Sequence, residues 1–165
     1  MMKVTIYTET TLAGPGTGNG KYGAVVEYVT KKGESVTREV YGEETTWYRS
    51  VLAAAAKGLR LLTRPCEVEI VTGCAFVASM INNGNVAKWG KNGWKNAAGE
   101  EIKMKELWKK IYCFMSIHKI TAVCSKHYAY RRFLLEKMAG ERKWEKKETC
   151  RNEDIQQKKK KNGRR

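Results

Sequence analysis

Three places in this chain bring together residue types that could do chemistry. At residues 71–77, VTGCAFV, an alternating strand-like run gives way to a helix-like one. The last turn of such a strand is where an α/β protein often positions a catalytic acid, because ligands bind beyond the carboxyl ends of the strands. Gly73 and Cys74 stand there, offering bare backbone and a thiol in place of a carboxylate. At residues 87–95, AKWGKNGWK, the lysines Lys88, Lys91 and Lys95 interleave with Trp89 and Trp94 around an Asn92-Gly93 turn. Lysines neutralise phosphates and release counterions, and indole rings pack on sugars or stack on bases. The same pattern fits indoles that anchor the segment to a neighbouring helix under solvated lysines. Further on, Cys124 and His127 are metal-ligand types at close spacing. With no second pair beside them, they supply two ligands where a structural zinc needs four.

The elements that must position these residues read as one domain. The chain has 165 residues, 42% hydrophobic, enough for a real core. No apolar run is long enough to span a membrane. The N-terminal MMKVTIYTET lacks the charged-then-apolar layout of a signal peptide and reads as a first strand. Cys66, Cys74, Cys113, Cys124 and Cys150 form no CxxC pair and are odd in number, which fits a reduced, cytoplasmic protein. Net charge is +15, and a charge of that size calls for an anionic partner, nucleic acid first. Residues 141–165 contribute +6 of it, so the remainder is basic without them.

Residues 3–9, KVTIYTE, alternate and are β-branched, predicting a strand. After a glycine-rich turn, residues 22–44 predict a hairpin meeting near Lys32-Gly33. TTWYRSVLAAAAKGLRLLTRP (45–65) predicts a helix with Thr46 as N-cap and Pro65 past its end, and with Val51, Leu52, Ala55, Leu59 and Leu62 on its buried face. CEVEIVT (66–72) predicts a fourth strand, and CAFVASMINN a short helix. KWGKNGWKNAAGEE reads as a glycine-broken excursion. A helix over IKMKELWKKIYCFMSIH, a fifth strand over 119–124 and a helix over YAYRRFLLEKMAGERKW complete the order. The hairpin-linked strands must be antiparallel, and the two that alternate with helices should run parallel to the first. Residues 1–142 are expected to form the domain, and 143–165, ending KKKKNGRR, a flexible basic tail.

MKVTIYT, the glycine-rich turn into YGAVVEY, PCEVEIVT, INN and KNGWKNAAGEEIKMKELWKKI occur in an order that resembles type 1 ribonuclease H over about residues 2–140. The resemblance implies a ribonuclease H-like α/β fold with a five-stranded mixed sheet. It also implies a centre where four carboxylates hold two divalent ions that hydrolyse the RNA strand of an RNA–DNA hybrid. Carried over position by position, the four carboxylates fall on Glu9, Val51, Gly73 and Glu136. Two are acids one methylene longer than the family's Asp, and two are not acids. The family's mobile His falls on Lys126, with His127 beside it. Its Asn pair, which reads the RNA strand, falls on Trp47 and Tyr48, and a following Gln on Ala75.

The expectation is therefore a noncatalytic nucleic-acid-binding protein, monomeric and needing no cofactor. Hybrid or other nucleic acid would be held through Lys88, Trp89, Lys91, Asn92, Trp94, Lys95 and Thr46, the last at a helix N-terminus that favours a phosphate. Glu9 and Glu136 would hold at most one weak Mg2+ or Mn2+. Two alternatives stay open: an impaired metal-dependent ribonuclease H, and a protein-interaction module using Trp47, Tyr48 and the YAYRRF surface (128–133).

Overall fold

The computed structural model describes residues 1–140. The proposed basic tail lies outside the described residues, as does the expected boundary at 142. Five strands form one sheet in the order β3-β2-β1-β4-β5: β1 (Met2–Thr10), β2 (Gly20–Val29), β3 (Ser35–Glu44), β4 (Cys66–Thr72) and β5 (Lys119–Cys124). β1 pairs antiparallel with β2, and β2 with β3, while β1–β4 and β4–β5 are parallel. This is the mixed sheet that the alternation and connection lengths predict. Parallel neighbours need crossovers, supplied by α1 (Trp47–Arg60) and by α2 (Ala75–Asn82), α3 (Asn85–Lys91) and α4 (Lys105–Met115). α5 (Arg131–Ala139) follows the last strand.

The two faces of the sheet are covered unequally. Val4, Ile6, Ala24, Val26, Val68 and Ile70 face the larger core, where α1 to α4 pack with Leu52, Leu59, Ile81, Val86, Trp108 and Ile111. Fully burying an aliphatic side chain of that size contributes about 1.5–3 kcal/mol. On the opposite face α5 is the one helix among the described residues, covering Val25 with Leu134 and Met138, and Tyr7, Tyr41, Tyr128 and Tyr130 line that contact. The edge strand β5 is held by an amide: Asn82 Nδ2 donates to the Ala122 carbonyl at 2.7 Å, and Ala122 N–H donates to Asn82 Oδ1 at 2.9 Å.

α1 starts as its sequence dictates, Thr46 Oγ1 accepting from Arg49 N–H at 3.3 Å. Val51, Leu52, Ala55 and Leu59 are buried, but the helix ends at Arg60 and Leu62 lies beyond it, half-buried. The excursion after α2 is not simply glycine-broken. Residues 85–91 form α3, and Gly90 lies inside it because a β-carbon there would come within 2.6 Å of the Tyr112 ring on α4. The true break is Gly93, at φ +66, followed by Trp94 at φ +62. α5 starts later than its sequence pattern, because Tyr128 and Tyr130 turn onto the sheet before it begins, and residues 141–144 of that pattern lie outside the described residues.

Candidate functional site

Glu9, Val51 and Gly73 converge at the carboxyl end of the two central strands. Tyr7 pairs with Val71 across the parallel β1–β4 ladder, so Glu9 and Gly73 leave adjacent strands side by side. α1 is tied to the same end. Ser50, fully buried, donates to the Trp47 carbonyl at 2.6 Å, and its Oγ lies 2.8 Å from Thr10 Oγ1. The Val51 side chain, next along α1, is itself buried. Beyond Thr72, Cys74 N–H donates to Thr72 Oγ1 at 3.1 Å, and burial pushes the Cys74 thiol up from its ordinary pKa. A buried thiol held protonated is no nucleophile, so Cys74 works as a small apolar group. Gly73 has space around it: a β-carbon there would meet only Lys126 Cγ, at 3.8 Å.

Among the described residues Glu9 is the one carboxylate at the centre of this cluster, and its oxygens are taken. Arg131 Nε donates to Oε1 at 3.0 Å, and Thr10 N–H donates to Oε2 at 3.2 Å. The Glu9 side chain is only 14% exposed. Tyr128 closes the other side, its hydroxyl donating to the Thr8 carbonyl at 2.8 Å. Burial, together with the charge of Glu9, raises the Tyr128 hydroxyl well above the usual phenol range, so it stays a donor. Glu136 lies one turn further along α5, half-exposed, accepting from Arg132 Nε at 3.0 Å.

A pair of divalent ions does not fit this donor set. Hard dications need several oxygen ligands each, whereas Val51 and Gly73 offer no side-chain oxygen, and Glu9 and Glu136 already face arginines. Among the described residues no group of three or more His, Cys, Asp or Glu comes together. Cys124 and His127 join no such group. Charge at the strand ends is balanced instead by a guanidinium. Sequence reasoning missed Arg131, which it met only as part of a surface stretch. The two partners are 122 positions apart, and only the seating of α5 reveals them.

The lysine-tryptophan segment is built on α4. Trp89 meets Trp108 edge-on at 5.4 Å between centroids, and Trp94 meets Tyr112 edge-on at 5.5 Å. Both indoles are half-buried, while Lys88, Lys91, Asn92 and Lys95 are exposed. The loop closes through Ile102 N–H to the Trp94 carbonyl (2.9 Å), a bridge between Lys95 and Glu101, and Asn92 Nδ2 donating to the Lys95 carbonyl (3.2 Å). The result is a rigid protrusion presenting cations on its outer side. A second feature lies between it and the strand ends. Trp47, Tyr48 and Phe76 form a ring cluster with centroid distances of 5.3 and 5.6 Å, and Tyr48 and Phe76 are 39% and 43% exposed.

A sheet of this order, crossed by α1 and backed by α5, defines a ribonuclease H-like α/β protein. The sequence matches the RNase H family over residues 1–129, and the chain belongs to that family. It is 38% identical over 122 residues to "Ribonuclease H" of Acetivibrio thermocellus, covering 73% of this chain and 79% of that one. Against "Ribonuclease H" of Lachnoclostridium phytofermentans it is 36% identical over 122 residues, covering 73% and 77%. Among solved structures, a type 1 RNase H with the type 2 active-site motif (LC9-RNase H1) superposes with a TM-score of 0.65 at 22% identity, covering 82% of this chain and 69% of that one. A foamy viral protease-reverse transcriptase in complex with RNA/DNA hybrid gives 0.57 at 18% identity, covering 74% and 17%. These structural likenesses concern the fold.

Proposed function

We propose that this chain is a ribonuclease H-like protein that binds nucleic acid, RNA–DNA hybrid included, without cleaving it. One observation carries the reading: the sole carboxylate that the described residues place at the central strand ends is occupied by Arg131 and by the Thr10 N–H, with valine and glycine at the neighbouring positions. Without oxygen ligands for paired dications there is nothing to activate a water or to stabilise the leaving oxygen. Binding rests on separate residues, the exposed lysines of the α3 protrusion and the N-terminus of α1 at Thr46. The chain acts as a monomer and requires no metal.

The test pairs a hybrid-cleavage assay, run in magnesium and again in manganese, with a binding titration at two salt concentrations. Salt-sensitive binding with no cleavage is the expected result. The relatives named "Ribonuclease H" and the retained Glu9 and Glu136 support a second reading, an impaired nuclease. Manganese-dependent cleavage that disappears in Glu9→Ala would establish that reading and overturn the first.

A further inference from the structure

The ring cluster at the head of α1 and α2 has no role in the reading above. Tyr48 and Phe76 are among the few large apolar side chains left exposed, and they touch each other edge-on. They open onto a groove of about 450 Å³ that continues along Ile102 and Met104 to Trp89, where the lysine-bearing protrusion begins. At its other end Phe76 is three residues from Gly73, over which the Lys126 stem lies. The groove thus runs from the start of α2 at Phe76 to the protrusion.

Charge says what fits it. Lys88, Lys91, Lys103 and Lys126 form no ion pair among the described residues. Lys103 lines the groove, Lys88 and Lys95 line the hollow that shares Trp89 and Asn96 with it, and Lys126 lies over Gly73 and lines a separate hollow with Arg131 and Glu136. Glu100 and Glu101 also line the groove, but Glu101 is neutralised by Lys105 at 2.8 Å. Aromatic faces between unpaired cations suit a chain of flat rings joined by phosphates. In a duplex those rings are stacked on one another, and the minor groove is read through polar contacts to sugars and base edges. Tyr48 and Phe76 offer rings there, which stack most readily on a base that is unpaired.

We infer that Tyr48 and Phe76 form a stacking platform for single-stranded nucleic acid, bases resting on the rings and phosphates meeting Lys103 and Lys88 alongside. This rests on the proposed nucleic-acid binding and names the form that is bound.

The experiment titrates the full chain with three fluorescein-labelled probes of about 15 nucleotides: a single strand, an RNA–DNA hybrid and a DNA duplex, at one salt concentration. The variants are Tyr48→Leu with Phe76→Leu, which keeps the surface apolar, and Tyr48→Phe, which keeps the ring. Circular dichroism verifies that both fold. The expected result is tighter binding of the single strand than of either duplex. The double leucine variant should lose about tenfold or more in single-strand affinity while its duplex affinities stay unchanged, and Tyr48→Phe should retain wild-type affinity. Duplex binding as tight as single-strand binding, with no response to the leucines, would overturn the platform and leave nucleic-acid binding intact. No binding of any probe would overturn both. Self-association that disappears in the leucine variant, with no change in single-strand affinity, would assign the rings to a second copy of the chain and also overturn the platform.

Discussion

At the scale of single residues, Glu9 and Arg131 form a local charge exchange. A cluster of carboxylates is stable only while cations fill it, because like charges at short range disfavour ionisation. Here one acid is paired with a covalently attached cation, and the adjacent positions are neutral. The arrangement predicts an asymmetry between two repairs. Gly73→Asp should be tolerated, since a β-carbon there makes only ordinary contact and the backbone is not in the left-handed region. Val51→Glu should cost about 3 kcal/mol, because it places an unpaired carboxylate at a position only 4% exposed. Chemical denaturation measures both. Adding manganese should raise the melting temperature of the Val51→Glu, Gly73→Asp protein and leave the wild type unchanged. Adding Arg131→Ala should enlarge that response by freeing Glu9 Oε1. A flat response in all three would mean that the strand ends no longer have the spacing an ion needs.

At the scale of elements, how legible the sequence was depended on how local the signal was. The alternation in β1 and β4, the Thr46 cap and the hairpin near Gly33 each lie within a few residues, and all of them appear in the structure. α3 was obscured because Gly90 looks like a breaker when its neighbour Tyr112, on another helix, is not yet known. The seating of α5, and with it the Glu9–Arg131 pair and the tyrosines around it, depends on contacts across more than a hundred positions. The cations of the protrusion were legible from composition, and anchoring of its tryptophans on a neighbouring helix was one of two readings the sequence left open; the structure sets both indoles against α4. His118 is another such long-range tie. It is 5% exposed, between α4 and β5, and its Nδ1 accepts from the Cys66 N–H at the start of β4 at 3.1 Å. Burial lowers its pKa below the ordinary 6.5. The unfolded chain therefore takes up a proton on His118 at a higher pH than the native one does. Its contribution is fully present above about 6.5 and is lost as pH falls below that value. Unfolding free energy should decline in this window in the wild type. In His118→Gln, a neutral side chain that can still accept from Cys66, the decline should be shallower across the same window.

At the scale of the whole molecule, the charge is too large for the fold to need and is distributed over more than one region. Of the net +15, residues 141–165 hold +6, and the rest is carried by the described domain. Each phosphate neutralised releases counterions, so the slope of log affinity against log salt reports the number of contacts, at about −0.7 per phosphate for a single strand and −0.9 for duplex DNA. If the tail were the only nucleic-acid contact, a chain ending at residue 140 would lose both its binding and its salt dependence. If the protrusion and the ring track hold the strand, that shortened chain keeps binding, with a slope shallower by the tail's contribution alone. We expect the second outcome. In the full chain, Lys88→Glu with Lys91→Glu should then flatten the slope by about two contacts, because both side chains are exposed and form no ion pair among the described residues. The substitutions touch no core residue, so the melting temperature should hold while the slope changes. A slope unchanged by the double substitution, in a protein that still binds, would move the phosphate contacts away from α3 altogether.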